Sequence, residues 1–399
     1  MSTRWPHPDH PARSTWHALR ALGLALLLAG CGGGVDSGGT GDASFVSGTI
    51  TGFGSVIVNG VRFDDTTARV TDADGTPHTR DDLRLGMTAE IHGSGIASDG
   101  SGGTVGTATS VVFGSAILGS VDAIDAVTNR IVVLGQPVDL NAGTVFDDVS
   151  LAGGLASLAV GDVVEVYALF DTTTARYTAT RVERKSAVTA YVLRGVVSGL
   201  DTTTRSFSLG GLRVSYAALV GTAPAALANG GIVRVRLRTA PVLGIWATTA
   251  VDDGAQRLQD KDAVRLEGLV NAFTSATQFS VAGVAVDASA ATPVAGLGLG
   301  VRVEVEGTAR GTVLAATKVQ VKTAIETGGA DFELRGPITS ADATTRSFVL
   351  RNVKVLHSAV TTEFKDGTAA GLVAGANVEV RGKLSGDGTR LLATRITFK

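Results

Sequence analysis

The chain is poor in the residues on which most site chemistry depends. It has a single cysteine, Cys31, in 399 residues. No disulfide can close within one chain, so stability must come from packed cores. Aromatic residues make up only 5% of the sequence, and Trp246 is the one tryptophan after Trp16. That is sparse for the stacking platforms with which small β-barrels hold single strands or sugars. The formal net charge is −2, and Lys and Arg are scattered mostly singly. A protein that neutralises phosphates needs a basic patch, so nucleic acid is not an expected partner. Histidines are few as well. His7, His10 and His17 lie near the start, and His78, His92 and His357 stand far apart without metal-ligand spacing. The sequence contains no G-x-S-x-G elbow, no phosphate-binding P-loop and no dinucleotide fingerprint.

Long apolar runs are also missing. The longest near the N-terminus, Ala21 to Ala29, would cross about half of a ~30 Å hydrocarbon core. Its flanks argue against a buried core helix. Arg4, Arg13 and Arg20 precede it, and the stretch Gly32 to Ser44 that follows is rich in glycine. A charged start, a short apolar core and small residues before a cut are the parts of a secretory signal. The run Leu28-Ala29-Gly30-Cys31 resembles the lipobox of bacterial lipoproteins. That resemblance implies cleavage before Cys31 and lipidation of Cys31, with residues 1–30 as signal peptide and 31–44 as tether. Gly32, in place of Asp, implies sorting to the outer membrane. The expected membrane partnership is therefore the lipid anchor at Cys31. Removing residues 1–30 takes away Arg4, Arg13, Arg20 and Asp9 and leaves the body mildly acidic.

What the sequence does have is repetition. A segment of the form L-x-x-G-x-x-V-E-V-x-G recurs at Leu83 to Gly93, Leu158 to Ala168, Leu227 to Leu237, Leu297 to Gly307 and Leu372 to Gly382. A-T-x-V or a variant follows each, and a strand opening on glycine precedes each, at Gly48, Gly119, Gly195, Gly268 and Gly336. Those glycines recur at intervals of 68 to 76 residues. Period-two alternation between Asp, Gly and Thr turns predicts strands throughout. A sheet of seventy residues must close on itself or leave its edges bare. We therefore expect an all-β chain of five tandem OB-like barrels at 45–113, 114–185, 187–251, 262–323 and 330–399. With short linkers, the barrels should line up as a semi-rigid rod. The pattern also resembles a domain-of-unknown-function family found in tandem in proteobacterial lipoproteins, which implies OB-like barrels and no particular activity. The third module departs most, with Arg234 for Glu and Leu237 for the closing Gly.

Candidate sites are weak. Asp72-Ala73-Asp74-Gly75 faintly resembles a calcium loop but reads better as a hairpin turn. His92 sits at the variable x of V-E-V-x-G, a position expected to face solvent. Phe207, Phe279 and Phe348 recur at one strand position and read as core. The repeated Glu165, Glu304 and Glu379 are expected to oppose Arg181, Lys318 and Arg395 as exterior ion pairs. We expect no catalytic residue, no cofactor and no metal. The expected function is that of a non-enzymatic scaffold or interaction module in the envelope, with an envelope protein or glycan as the partner. The alternative is a binding protein for a small ligand or glycan, for which aromatics clustered around Trp246 and Tyr216 would speak. Carboxylates or histidines converging between modules would speak instead for an enzyme.

Overall fold

A computed structural model describes residues 43–100, 102–219, 223–256, 258–322 and 331–399. The signal, Cys31 and most of the tether lie outside the described residues. Strands dominate, and the helical content of the described residues is three 3₁₀ turns, at Arg80–Asp82, Gly154–Ser157 and Ala369–Gly371. Among the described residues no helix is long and apolar enough to cross a membrane.

Each module closes a five-stranded barrel in the order 1-2-3-5-4-1. Module 2 shows the scheme. Its opening strand Ile117–Asp125 pairs antiparallel with the first strand of a middle hairpin, Arg130–Val133, and also with the V-E-V strand Val163–Asp171. The second hairpin strand, Gln136–Asp139, runs parallel to the A-T-x-V strand Arg176–Arg184, which pairs antiparallel with Val163–Asp171. The parallel contact closes the ring, so no strand edge is left inside the module. It recurs in the others at Val61 with Thr104, Val214 with Trp246, Val286 with Leu314 and Val355 with Leu391. Alternate residues point inward, as a period of two requires. Val164, Val166, Val303, Val305, Val378 and Val380 are all buried, as are Phe207, Phe279 and Phe348.

The barrels do not form a rod. Module 1 lies against all four others, out of sequence order. Its opening strand Ser44–Phe53 runs parallel to the opening strand of module 4 at Ser44–Ser47, and parallel to that of module 5 at Gly52–Phe53. Modules 2 and 3 join through antiparallel pairing of Val192 with Leu118. Glycine permits these approaches. A Cβ on Gly52 would lie 2.4 Å from the Glu333 carbonyl oxygen, and Gly54, at φ +129°, lies against Arg335. Barrel surfaces that a rod would leave wet are therefore interfaces. Tyr167, at the position expected to be solvated, is only 1% exposed and packs into the core shared by modules 1 and 5. His92, at the equivalent position, is half-buried and meets Phe45 edge-on.

The glutamates also differ from expectation. Glu165 opposes Glu183, Glu304 opposes Gln320 and Glu379 opposes Thr397. Two offsets add to move the register by two residues. The hairpin loops are not centred where the sequence put them, and each A-T-x-V strand carries one extra residue, Thr180, Thr317 or Thr394, in a β-bulge facing the V-E-V strand just beyond its glutamate. The true partners are lysines one step along the diagonal: Lys185 on Glu165 at 2.8 Å, Lys322 on Glu304 at 2.6 Å and Lys399 on Glu379 at 2.9 Å. These pairs are not fully exterior, since the Glu304 side chain is 6% exposed. Arg181, Lys318 and Arg395 turn instead to Asp147 and Glu183, to Glu306 and to Glu363.

Candidate functional site

The repeated positions become informative where modules meet. In modules 2, 4 and 5 the recurrent glutamate finds its lysine inside its own barrel. Modules 1 and 3 lack that lysine, with Gly114 and Gly254 in its place, as the backbone bonds from Gly114 to Thr88 and from Gly254 to Ile232 show. Their charges are matched across the junction between them.

Two contacts make that junction. In the first, the turn Asp72–Gly75 of module 1 presents Asp74 to Arg234 and Arg236 of module 3, with the Arg236 bond at 2.8 Å. Burial alone would raise the Asp74 carboxyl, but hydrogen bonds from the two arginines hold it below the ordinary aspartate value. Its neighbour Asp72 stabilises the turn itself, accepting from the Asp74 and Thr76 amides at 2.9 and 2.8 Å. This motif is thus a turn and an inter-module clamp. Among the described residues no group of three His, Cys, Asp or Glu is placed to hold a metal ion.

The second contact surrounds a cavity of about 300 Å³ where modules 1 to 4 converge. Glu90 enters it from module 1, Arg194 and Arg234 from module 3, and Glu267 from module 4. Burial pushes the Glu90 carboxyl above the ordinary glutamate value, and the charge of Arg194 and a hydrogen bond from Gln256 oppose this only in part. Burial likewise lowers Arg194, with Glu90 opposing. The Arg194 Nε donates to the Gly254 carbonyl at 2.6 Å. Glu267 accepts from Arg302 Nε at 2.6 Å and from the Thr49 amide at 3.3 Å. That last bond requires Gly48, where a Cβ would stand 2.7 Å from a Glu267 oxygen and 2.3 Å from Asn59 Oδ1. Gln256 donates to Ser47 Oγ, and its Oε1 is buried without a partner among the described residues.

Carboxylates therefore do converge from different modules, the arrangement that on sequence grounds speaks for chemistry. Their bonding points elsewhere. Glu267 is held by a guanidinium and a backbone amide, and Glu90 by a carboxamide beside a guanidinium. Among the described residues no histidine lines the cavity. His78 lies 3.4 Å from Asp72 and edge-on to Phe113, and the His357 imidazole is lowered by burial and by Arg346. The aromatics named from the sequence do not form a groove. Tyr216 is buried against Phe207, under the Arg205 guanidinium, and Trp246 leans on Tyr191 at 5.9 Å.

Sequence reasoning missed Asp74, Arg194, Gln256 and Glu267 as junction residues. Arg194 and Glu267 could have been flagged, since each precedes the opening glycine of its module and faces the V-E-V position across the strand pair. That places Arg194 opposite Arg234 and Glu267 opposite Glu304. Like charges directly opposed are unfavourable, so each needs a partner from elsewhere.

The chain is thus a set of tandem all-β modules. The model of a family described as a domain of unknown function (DUF5666) matches residues 119–183, 267–320 and 335–397. These segments fall in the three modules that carry the internal Glu–Lys pair. No curated protein matches the chain.

Proposed function

We propose that the protein is a lipid-anchored cell-envelope component that works without catalysis, as a scaffold or interaction module for another envelope component. One observation carries most of the reading. The charged residues that recur from barrel to barrel are engaged within barrels or between them, so the repetition serves assembly. Five barrels gathered on module 1 present a large outer surface from one attachment point. The Leu28 to Cys31 run supports attachment through Cys31 and an outer-membrane location. Metabolic labelling with an alkyne fatty acid tests the anchor. The wild type should take up label, and Cys31→Ala should lose it and appear as a soluble or uncleaved species. Equal labelling of the two defeats the reading.

A second reading, a binding protein for a small polar ligand or glycan, is favoured by the junction cavity and the unpartnered Gln256 Oε1. A ligand held there raises the melting temperature in proportion to its saturation. N-acetylglucosamine and glucose should each be titrated against the wild type and Gln256→Ala. A shift lost in the variant supports the reading, and no shift in either protein rejects these sugars as ligands.

A further inference from the structure

The hairpin that joins the last two strands of module 3 differs from its counterparts. Those of modules 2, 4 and 5 turn through Asp171 to Arg176, Arg310 to Val313 and Ser385 to Arg390, where the apolar side chains are Ala175 and Val313 alone. In module 3 the tip reads Pro241-Val242-Leu243-Gly244-Ile245. Val242 and Ile245 exchange two backbone hydrogen bonds of 3.0 Å, and Leu243 and Gly244 form the turn, at φ +51° and +76°. Such turns favour Asn-Gly, the pair the chain uses at Asn59-Gly60. A leucine there is strained. Leu134 adopts the same conformation before Gly135, but it is 2% exposed and packs on Gly119, so burial offsets the strain. Leu243 is 97% exposed, and Val242 beside it is exposed too. Nothing in its own fold offsets its strain.

The surroundings identify the occupant. Trp246 lies at the base of the tip, half-buried against Tyr191. Arg213 and Arg238 are exposed on the two flanking strands, since Val214 pairs with Trp246 and the Arg238 amide donates to the Ala247 carbonyl. No Asp or Glu occurs from Arg205 to Leu219 or from Arg234 to Val251. An apolar tip, an aromatic residue at its base and flanking cations with no acid on their own stretches, Asp74 of module 1 being taken up by Arg234 and Arg236, match the layers of an anionic bilayer surface in order. Other exposed valines, such as Val127 and Val360, stand as single large apolar side chains, each between an alanine and a threonine, and are ordinary surface.

We propose that Pro241 to Ile245 inserts into the interfacial layer of an anionic membrane, with Leu243 deepest, Trp246 at headgroup level and Arg213 and Arg238 on the phosphates. The contact acts beside the Cys31 anchor and orients module 3 toward the bilayer. The test uses the full chain with vesicles containing phosphatidylglycerol and brominated lipid. Leu243→Trp should raise the quenched fraction of tryptophan emission at least twofold over the wild type and shift it to the blue, whereas the control Val360→Trp should not. Replacing Arg213 and Arg238 by Glu should abolish the extra quench, and phosphatidylcholine vesicles should give less of it. Equal quenching at residues 243 and 360 overturns the proposal. So does a blue shift of Leu243→Trp that grows with protein concentration in the absence of lipid, which assigns the tip to a second copy. The signal is read at residue 243, so at saturating vesicles it persists in a Cys31→Ala background. Failure of the anchor is thereby separated from failure of the tip.

Discussion

Modules 2, 4 and 5 close their recurrent charge at home, and modules 1 and 3 close theirs on each other. The barrel is the same in both groups. What differs is one lysine near the end of the A-T-x-V strand, present as Lys185, Lys322 and Lys399 and absent at Gly114 and Gly254. A module that keeps its lysine satisfies its recurrent glutamate internally and meets module 1 through backbone pairing, apolar contact and ties such as Arg62 to Glu333. A module that has lost it carries an unmet charge that only a particular neighbour satisfies. Loss of a local partner therefore specifies which barrels meet.

The comparison can be broken hardest at Arg181. Its side chain is 5% exposed, and it bonds Asp147 at 3.0 Å, Glu183 at 2.5 Å and the Leu85 carbonyl of module 1 at 3.2 Å. Arg181→Ala takes the guanidinium from Asp147 and from Glu183, which keeps Lys185 at 2.6 Å, and should cost about 3 kcal/mol in urea unfolding. Lys318→Ala, at the same position of module 4 but on the surface, should cost at most ~1 kcal/mol. Next in size is Asp74→Ala, which leaves Arg234 and Arg236 without their acceptor. A loss of about 2 kcal/mol is expected, with faster amide exchange in Ile232–Leu237. If instead the exchange rises only around residue 74, the clamp is not what joins modules 1 and 3.

Glu90 sharpens the comparison with a sign. Its folded carboxyl lies above the ordinary glutamate value because burial outweighs Arg194 and Gln256. Between those two values the native state holds a proton that the unfolded state has released. Stability therefore rises as pH falls through that window, and the penalty is fully present above the folded value. Glu90→Gln should be more stable than the wild type at neutral pH, with the difference vanishing once the wild type is protonated. Urea midpoints across pH measure this, and a destabilised Glu90→Gln would assign the charge a net favourable role. The smallest effect is at the strained leucines. Leu243→Asn should gain roughly 0.5–1 kcal/mol by relieving the turn, while Leu134→Asn loses stability through lost packing.

The barrels themselves were legible in the sequence. The recurring glycines, the V-E-V alternation and the inward-facing Val303 and Val305 follow from period two and from the need to close a short sheet. Register was harder, though a signal was present. A Cβ on the closing glycines Gly93, Gly307 and Gly382 would lie 2.1–2.3 Å from the carbonyl oxygens of Thr107, Ala315 and Leu392. These glycines face the bulges at Thr109, Thr317 and Thr394, and glycine inside a strand marks such an approach. Read that way, they would have moved each glutamate toward its lysine. The junction was illegible for a different reason. Tyr167, Asp74 and Glu90 occupy outward positions of their own barrels, and no pattern within a module says which outward face another barrel will cover.

The placement of module 1 also has a consequence in time. Its opening strand emerges first from the ribosome, yet the strands that flank it, at Ala263 to Leu266 and Glu333 to Leu334, follow more than two hundred residues later. At ~5–20 residues per second the delay is on the order of ten seconds or more. For that interval the barrel ring can close, but the outer sides of Ser44–Ser47 and Gly52–Phe53 stay open to pairing with the wrong chain. High contact order of this kind slows assembly. The last modules to be made complete the first, so a chain truncated before module 5 would leave its oldest strand exposed.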